Sequence, residues 1–337
     1  MIYYGIMSLY EYVWVDGTGG LRSKLRLLSG KSANIPNWSY DGSSTGQATG
    51  ENSEILLKPK AVFKSKTNIK LTVLVLCGTY DMNGEPTPSN TRDGAKALFD
   101  KNRMCEPWFG LEQEYFVLDP NTGEPCGSRD AKGQGQYYCG VGTGNVFGRQ
   151  LVIDHMIECI DYGITVSGIN AEVAPGQWEF QIGPCIGIAA GDHLWMARFL
   201  LYRMSEEHNM KISLDPKPLK GAWNGSGCHA NYSTKNMREG TNEQDGLYYI
   251  HAAIDKLSEK HTEHMKVYGA NNEERMTGES ETSSYTTFTN GIANRGASVR
   301  IGHETIQNKQ GYFEDRRPAS NCDPYLVTSA IFETTML

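Results

Sequence analysis

Asn170-Ala171-Glu172-Val173-Ala174-Pro175-Gly176-Gln177-Trp178-Glu179-Phe180 reads as strand, turn and strand, with Pro-Gly between two runs of strand formers. If Pro175-Gly176 is a two-residue hairpin loop, Ala174 pairs with Gln177 and Val173 with Trp178, and Glu172 lies directly opposite Glu179. Residues so opposed have Cβ atoms about 5 Å apart, where like charges destabilise. Such a pair persists if one carboxylate is protonated or a cation sits between the two. Pro-Gly favours a type II turn over the primed hairpin turns, so the register stays open.

Upstream, Phe109-Gly110-Leu111-Glu112-Gln113-Glu114-Tyr115 repeats the theme. A strand has a side-chain period of two, so Glu112 and Glu114 share a face. Alone, an E-x-E is most often a solvated sheet face; a second carboxylate pair weakens that explanation. His229 stands in Asn224-Gly225-Ser226-Gly227-Cys228-His229-Ala230-Asn231, and Glu314 in Gly311-Tyr312-Phe313-Glu314-Asp315-Arg316-Arg317-Pro318. By itself the first is an ordinary hydrogen-bonded histidine, and the second a surface ion-pair cluster. Together, five carboxylates and one imidazole make a hard, oxygen-rich ligand set that suits Mg²⁺ or Mn²⁺ better than zinc.

Around these segments the chain divides in two. Glu11 to Val15 and Leu21 to Leu28 flank the turn Asp16-Gly17-Thr18-Gly19-Gly20, and Leu71 to Tyr80 reads as a buried strand. Residues 81–91 carry two prolines among turn formers and mark the domain boundary, giving 1–84 and 85–337. In the second part, helices are expected over Val146 to Tyr162, Asp192 to Met210 and Leu247 to Tyr268, stopped in two cases by Gly163 and Gly269. Strands are expected over Phe109 to Leu118, Gly168 to Val173, Gln177 to Ile182 and Gly227 to Tyr232. The result is a small β-rich domain followed by a large one mixing helices and strands.

The 337 residues suit two domains of unequal size, and 39% hydrophobic with 21% charged residues describes a globular chain. A net charge of −7 argues against a nucleic-acid-binding protein, so anionic substrates must be held by local basic residues. The cysteines at 77, 105, 126, 139, 159, 185, 228 and 322 show no CxxC spacing and suit buried thiols in a reducing compartment. No signal peptide gives meaning to the Asn-x-Ser triplets at Asn37, Asn224 and Asn231. The longest apolar run, around Leu71 to Cys77, is too short to span a bilayer, and a cytoplasmic location is expected.

Gly30-Lys31-Ser32 fails as a P-loop because Leu25 stands where the first glycine belongs; Gly140-Val141-Gly142 fails as a dinucleotide fingerprint at Asn145. A nucleotide would therefore be held by metal rather than by a phosphate loop. Asn294-Arg295-Gly296-Ala297-Ser298-Val299-Arg300 and Arg316-Arg317 supply forked cations suited to carboxylate or phosphate. His261 and His264, three apart on a polar helix face, are expected on a solvated surface.

Read together, the segments resemble glutamine synthetase of the eukaryotic type. The matching stretches are Trp38 to Ala48, Pro107 to Tyr115, Asn170 to Pro184, Gly191 to Arg198, Asp215 to Asn231, Ala293 to Arg300 and Gly311 to Pro324, in one order from about Glu11 onward. The resemblance implies an α+β protein: a small N-terminal β-grasp domain, then a catalytic domain whose curved antiparallel sheet, flanked by helices, forms a funnel between adjacent subunits. It implies ATP-dependent joining of ammonia to L-glutamate through γ-glutamyl phosphate, in a homo-oligomer of two stacked rings (a decamer).

Residue by residue, the resemblance implies a first metal on Glu114, Glu172 and Glu179 and a second on Glu112, His229 and Glu314. Arg295 and Arg316 would serve phosphates and glutamate carboxylates, and Arg300 the nucleotide. Trp108, Asn231-Tyr232-Ser233 and Tyr312-Phe313 would border ATP, while Ala222-Trp223-Asn224-Gly225 and Arg275 would line the glutamate site. Asp41 of a neighbouring subunit would take a proton from ammonium, and Glu281, on a flap, would shield the intermediate from water. The chain departs from the family at Ser280, where a His usually precedes the flap glutamate, and at His303, where an Arg is usual. It departs again at Lys64-Ser65-Lys66-Thr67-Asn68, and little of the N-terminal helical arm precedes Glu11. The competing readings are a related ligase joining glutamate to a small amine, and a non-catalytic relative, which should have lost ligands.

Overall fold

The structure is a computed structural model that describes residues 7–29, 34–67, 71–131 and 133–336. Gly30-Lys31-Ser32 and Asn68 lie outside the described residues. Two compact units are present. One runs to Gly94 and includes Ile157–Ile164; the other comprises Ala95–Met156 and the chain from Thr165 onward.

The first unit is a five-stranded sheet of β1 (Met7–Val15), β2 (Leu21–Ser29), β3 (Trp38–Asp41), β4 (Glu54–Lys64) and β5 (Thr72–Tyr80), in the order β2-β1-β5-β4-β3. β1 and β2 form the expected hairpin, antiparallel with Val15 opposite Leu21. Its turn is fixed by Asp16, whose Oδ1 accepts from the Thr18 and Gly20 amides at 2.9 Å each. β1 and β5 are parallel at the centre of the sheet. Alternation then gathers Tyr10, Tyr12, Trp14, Leu57, Val75 and Cys77 into one core. The unit extends past residue 84 because the following segment is tied back to the sheet: the Thr87 amide donates to the Thr79 carbonyl at 3.0 Å, and Lys60 pairs with Asp93 at 2.9 Å. Residues 157–164 join it through the Asp161 carbonyl, which accepts from the Lys66 amide at 2.8 Å.

The second unit contains β6 (Trp108–Leu118), β7 (Val166–Ala171), β8 (Gln177–Ile186), β9 (Lys211–Ser213), β10 (Cys228–Ser233), β11 (Asn290–Ile292), β12 (Val299–Ile301) and β13 (Phe313–Asp315). These make one sheet in the order β11-β12-β13-β10-β6-β8-β7, with β9 pairing the end of β6. Its ladders are antiparallel except β11–β12, and bulges at Phe109/Leu111 and Val166/Gly168 bend it. The helices are α1 (Thr91–Lys101), α2 (Arg149–Asp161), α3 (Ile188–Glu207), α4 (Lys235–Glu239), α5 (Gly246–Glu259), α6 (His261–Met265), α7 (His303–Asn308) and α8 (Pro324–Met336). The α+β fold is as expected, and no helix among the described residues is long and apolar enough to cross a membrane.

α3 is buried along most of its length and is pinned by Arg198, which donates to Gln113 at 2.8 Å and to the carbonyls of Cys322 and Ser320 at 2.8 and 2.9 Å. The helix expected over Leu247 to Tyr268 is instead broken at Lys260 into α5 and α6. The break goes with a correction to His261 and His264, which are buried rather than solvated. They face Arg317, and Arg317 and Asp315 form an ion pair at 2.6 Å in which both side chains are fully buried. The polar face of the helix answers a buried charge pair, not water.

Candidate active site

Strand register builds the site. Glu112 lies opposite His229 and Gln181, and Glu114 lies opposite Glu179. Farther along the sheet, Glu314 lies opposite Asn231 and Arg300. Directly opposed residues share a face, and so do residues two apart on one strand. One face of the sheet therefore carries Glu112, Glu114, Glu179, Gln181, His229, Asn231, Arg300, Glu314 and Arg316. The other carries Gln113, Tyr232, Phe313 and the Asp315–Arg317 pair.

The register expected between Glu172 and Glu179 is corrected. Trp178 pairs with Ala171 and Asn170 with Glu179, while the Glu172 amide donates to the Gln177 carbonyl at 2.9 Å. Ala174-Pro175-Gly176-Gln177 closes on itself through the Gln177 amide and Ala174 carbonyl at 3.1 Å, with Gly176 at φ +69°. This is the geometry that proline and glycine favour at the centre of a type II turn, so the loop is longer than two residues. Glycine is required at 176, since a Cβ there would lie 2.9 Å from both the Cys126 nitrogen and the Val117 oxygen. Glu172, just beyond β7, reaches the cluster from the loop instead.

Two sets of ligand atoms lie within 4.8 Å of one another: Glu114, Glu172 and Glu179, and Glu112, Glu179 and His229. Glu179 is common to both. Glu314 is engaged elsewhere, by Arg300 at 2.6 Å and Arg316 at 2.7 Å, with His229 Nδ1 3.5 Å away. The electrostatics fit a cation. Burial and the charge of Glu172 push Glu114 up to about 8, and burial pushes Glu172 up to about 7. Burial with the charges of Glu112, Glu114 and Glu172 pushes Glu179 up to about 9. Burial, then the nearby arginines led by Arg316, drive His229 well below its usual value, leaving the neutral imidazole that ligates metals. A divalent ion removes the repulsion that raises the carboxyls, and the oxygen-rich donor set matches a hard ion.

A cavity of about 330 Å³ opens over this cluster. Arg295, Arg300, Arg316 and Arg275 line it, as do Asn224 and Gly225. Glu281 covers it from the segment 276–285, held by Arg295 at 3.1 Å. Both Ser280 (φ 51°) and Glu281 (φ 63°) have left-handed backbone, so the segment is strained where the glutamate is presented. Arg275 is largely committed to structure: Nε donates to Asn272 at 3.0 Å and Nη2 to the Arg317 carbonyl at 2.7 Å, and burial pushes its guanidinium down to about 10. Ala222 and Trp223 lie beside Asn224 on the same loop, outside the cavity lining.

A second, mostly apolar cavity of about 450 Å³ is lined by Trp108, Asn231, Ser233 and Tyr312, with Arg238 stacked 4.0 Å over the Trp108 ring. Tyr232 also borders it, but the Tyr232 hydroxyl meets Thr335 at 2.9 Å, and the Phe313 and Tyr232 rings pack together at 5.5 Å. Both rings thus point to the opposite face, and Phe313 lines neither of the two cavities. Asp41 belongs to the other unit, where it ends β3, exposed, and accepts from the Ser43 amide at 3.0 Å. His303 begins α7.

Residues given no role in the sequence reading also line these cavities: Tyr138 and Asn170 the first, Gln181 and Arg238 the second. Asn170 precedes Glu172 by two and Gln181 follows Glu179 by two, so the period that found the carboxylates could have found these amides. Arg238 and Tyr138 left no comparable signal.

Comparison with known proteins agrees with this geometry. Residues 92–337 match the family described as glutamine synthetase, catalytic domain. The chain is 52% identical to glutamine synthetase of Agaricus bisporus, over 97% of this chain and 93% of that protein. It is 51% identical to glutamine synthetase cytosolic isozyme 1-1 of Oryza sativa subsp. japonica, with 97% and 93% covered. To glutamine synthetase of Kluyveromyces lactis it is 52% identical, with 96% and 87% covered. On its sequence and on the face of its sheet, this chain belongs to the glutamine synthetase family.

Proposed function

We propose that the chain joins ammonia to the side-chain carboxylate of L-glutamate, consuming ATP and releasing L-glutamine, ADP and phosphate. The observation that carries this reading is the opposition, across one cavity, of a buried carboxylate cluster to Arg295, Arg300 and Arg316. A carboxylate is a poor electrophile, so ATP must first convert it to γ-glutamyl phosphate. Glu114, Glu172 and Glu179 would hold one Mg²⁺ or Mn²⁺, and Glu112 and His229, with Glu179 or Glu314, a second. When bound, these cations neutralise the charge of the phosphoryl group.

The chain's own residues do the rest. Arg295 and Arg316 share the phosphoryl charge and orient the glutamate carboxylates, and Arg300 serves the nucleotide. Trp108, Asn231, Ser233, Tyr312 and the main chain of Tyr232 and Phe313 border ATP. Asn224 and Gly225, with Ala222, Trp223 and Arg275 behind them, form the glutamate site. Ammonium becomes nucleophilic only on losing a proton, which Asp41 of a neighbouring copy accepts. Glu281 excludes water from the acyl phosphate. The active assembly is a homo-oligomer, two stacked rings of five, in the cytosol; isozymes named cytosolic among the relatives support that location.

The test is phosphate and amide formation from glutamate and ATP with either ammonium or methylamine. Equal yields of phosphate and glutamine are expected with ammonium, and far less product with methylamine. Faster ligation of methylamine would replace this reading with that of a glutamate–amine ligase.

A further inference from the structure

Glu172 and Glu179 are held by the same pair of neutral amides. The Gln181 side-chain Nε2 donates to Asn170 Oδ1 at 2.7 Å and also to Glu179 Oε1. Asn170 Nδ2 in turn donates to Glu172 Oε1 at 2.8 Å. The two outer bonds end on carboxylates and the middle one links amide to amide, so the amide orientations are fixed by the acids at both ends. Each acid has one oxygen held in this way, with the Val173 amide 3.2 Å from the second Glu172 oxygen. The relay also joins the two cavities, since Asn170 lines the one over the carboxylates and Gln181 lines the apolar one.

The amides are fixed from behind as well. Glycine at 168 leaves room for Gln181, whose Oε1 would lie 2.5 Å from a Cβ at that position. Asn170 is directly opposite Glu179 in the ladder and Gln181 directly opposite Glu112, so all four side chains stand on one face. Four carboxylates converge here, and Glu179 belongs to both candidate ligand sets. Without donors to hold them, repulsion would turn these acids apart.

We infer that Asn170 and Gln181 are positioning residues for the divalent cation: one amide relay fixes the spacing and orientation of Glu172 and Glu179 so that their remaining oxygens meet on one ion. This rests on the reading of the carboxylate cluster as a metal site. Outer partners of metal ligands contribute about 10- to 100-fold in affinity when removed. The relay predicts a further signature. The two amides act in series, so losing both should cost no more than losing the more important one.

The test is a calorimetric titration of Mn²⁺ into the wild-type protein, Gln181→Leu, Asn170→Ala, the double variant and Glu179→Gln, each checked by circular dichroism. Either single variant should weaken cation binding about 10- to 100-fold, and the double variant should match the weaker single. The electron paramagnetic resonance spectrum of bound Mn²⁺ should broaden in both singles, which a purely structural loss would not produce. If Gln181→Leu fails to fold, Asn170→Ala carries the test from the other end of the relay. Single variants that titrate like wild type, while Glu179→Gln loses binding, would overturn the relay and leave the metal site standing. If Glu179→Gln also titrates like wild type, the metal site falls and the relay with it.

Discussion

Replacing Arg317 with methionine tests the buried charge pair that holds β13 in place. Asp315 and Arg317 are both fully buried. Arg317 Nε donates to Asp315 Oδ1 at 2.8 Å and Nη2 to Oδ2 at 2.6 Å, and the Tyr268 hydroxyl donates to Oδ2 at 2.8 Å. Burial alone would raise the Asp315 carboxyl, but the charge and hydrogen bonds of Arg317 outweigh it and hold it below its usual value. Removing one partner of a buried pair costs about 3–5 kcal/mol, because the other charge is left uncompensated. In a unit this large, that is a fall of about 10 °C in melting temperature. The pH dependence identifies the cause. In wild type the depressed Asp315 contributes stability above its unfolded pKa and loses it only as pH falls through the folded value. In Arg317→Met the abandoned carboxyl is raised instead, so its contribution is lost as pH rises. The deficit should then grow by up to about 1.4 kcal/mol per pH unit as pH rises above the unfolded value of about 4. Adding Asp315→Asn should recover most of the loss and flatten the profile. The assay is thermal and urea unfolding at fixed protein concentration. A deficit under about 1 kcal/mol, or one that does not change with pH, would refute the argument that an uncompensated charge is the cause.

Three further outcomes are expected. Mixing inactive Asp41→Ala subunits with inactive Glu314→Gln subunits should restore part of the activity, because some interfaces then combine two intact halves; verified mixed assemblies that stay inactive would remove Asp41 from the site. Glu281→Ala should let ATP cleavage outrun glutamine formation as ammonium is lowered, and a ratio of phosphate to glutamine that stays at unity would mean Glu281 does not guard the intermediate. Burial pushes His155 down to about 4, with its Nε2–H donating to the Ala197 carbonyl at 2.8 Å. It should therefore be neutral when folded, and its own contribution to stability, about 3 kcal/mol, should be lost as pH falls from 6.5 to 4. His155→Phe should abolish that acid slope in unfolding measurements, whatever it costs at neutral pH.

Period-two spacing was legible because it needs no tertiary information. Once Phe109–Tyr115 is a strand, Glu112 and Glu114 must share a face, and the same holds for Glu314 and Arg316. What lay across a loop was less legible. The register of Glu172 depended on whether Pro175-Gly176 formed a two-residue loop or sat at the tip of a longer one, and the left-handed glycine that decides it is a three-dimensional fact. The burial of His261 and His264 is hidden in the sequence for a related reason. A polar helix face means water only if no buried charge lies opposite, and Asp315 and Arg317 come from a segment some fifty residues away in sequence.

The apolar cavity was legible only through the resemblance, which names Trp108, Asn231, Tyr232, Ser233 and Tyr312 of its lining; no period or spacing marks it, and Gln181 and Arg238 had no role assigned. The same reasoning bears on Glu314. The resemblance marked it as a ligand, but sequence could not say that Arg300 and Arg316 would both reach it. In this arrangement two guanidinium groups neutralise Glu314, while Glu179 is drawn into both ligand sets by its place opposite Glu114. For Glu314 to ligate a cation, those arginines must turn to another anion. Phosphate oxygens suit them well, because forked guanidinium groups bind phosphate and carboxylate alike. The carboxylate and the nucleotide would then exchange partners, and cation affinity at Glu314 should rise when the phosphates are bound.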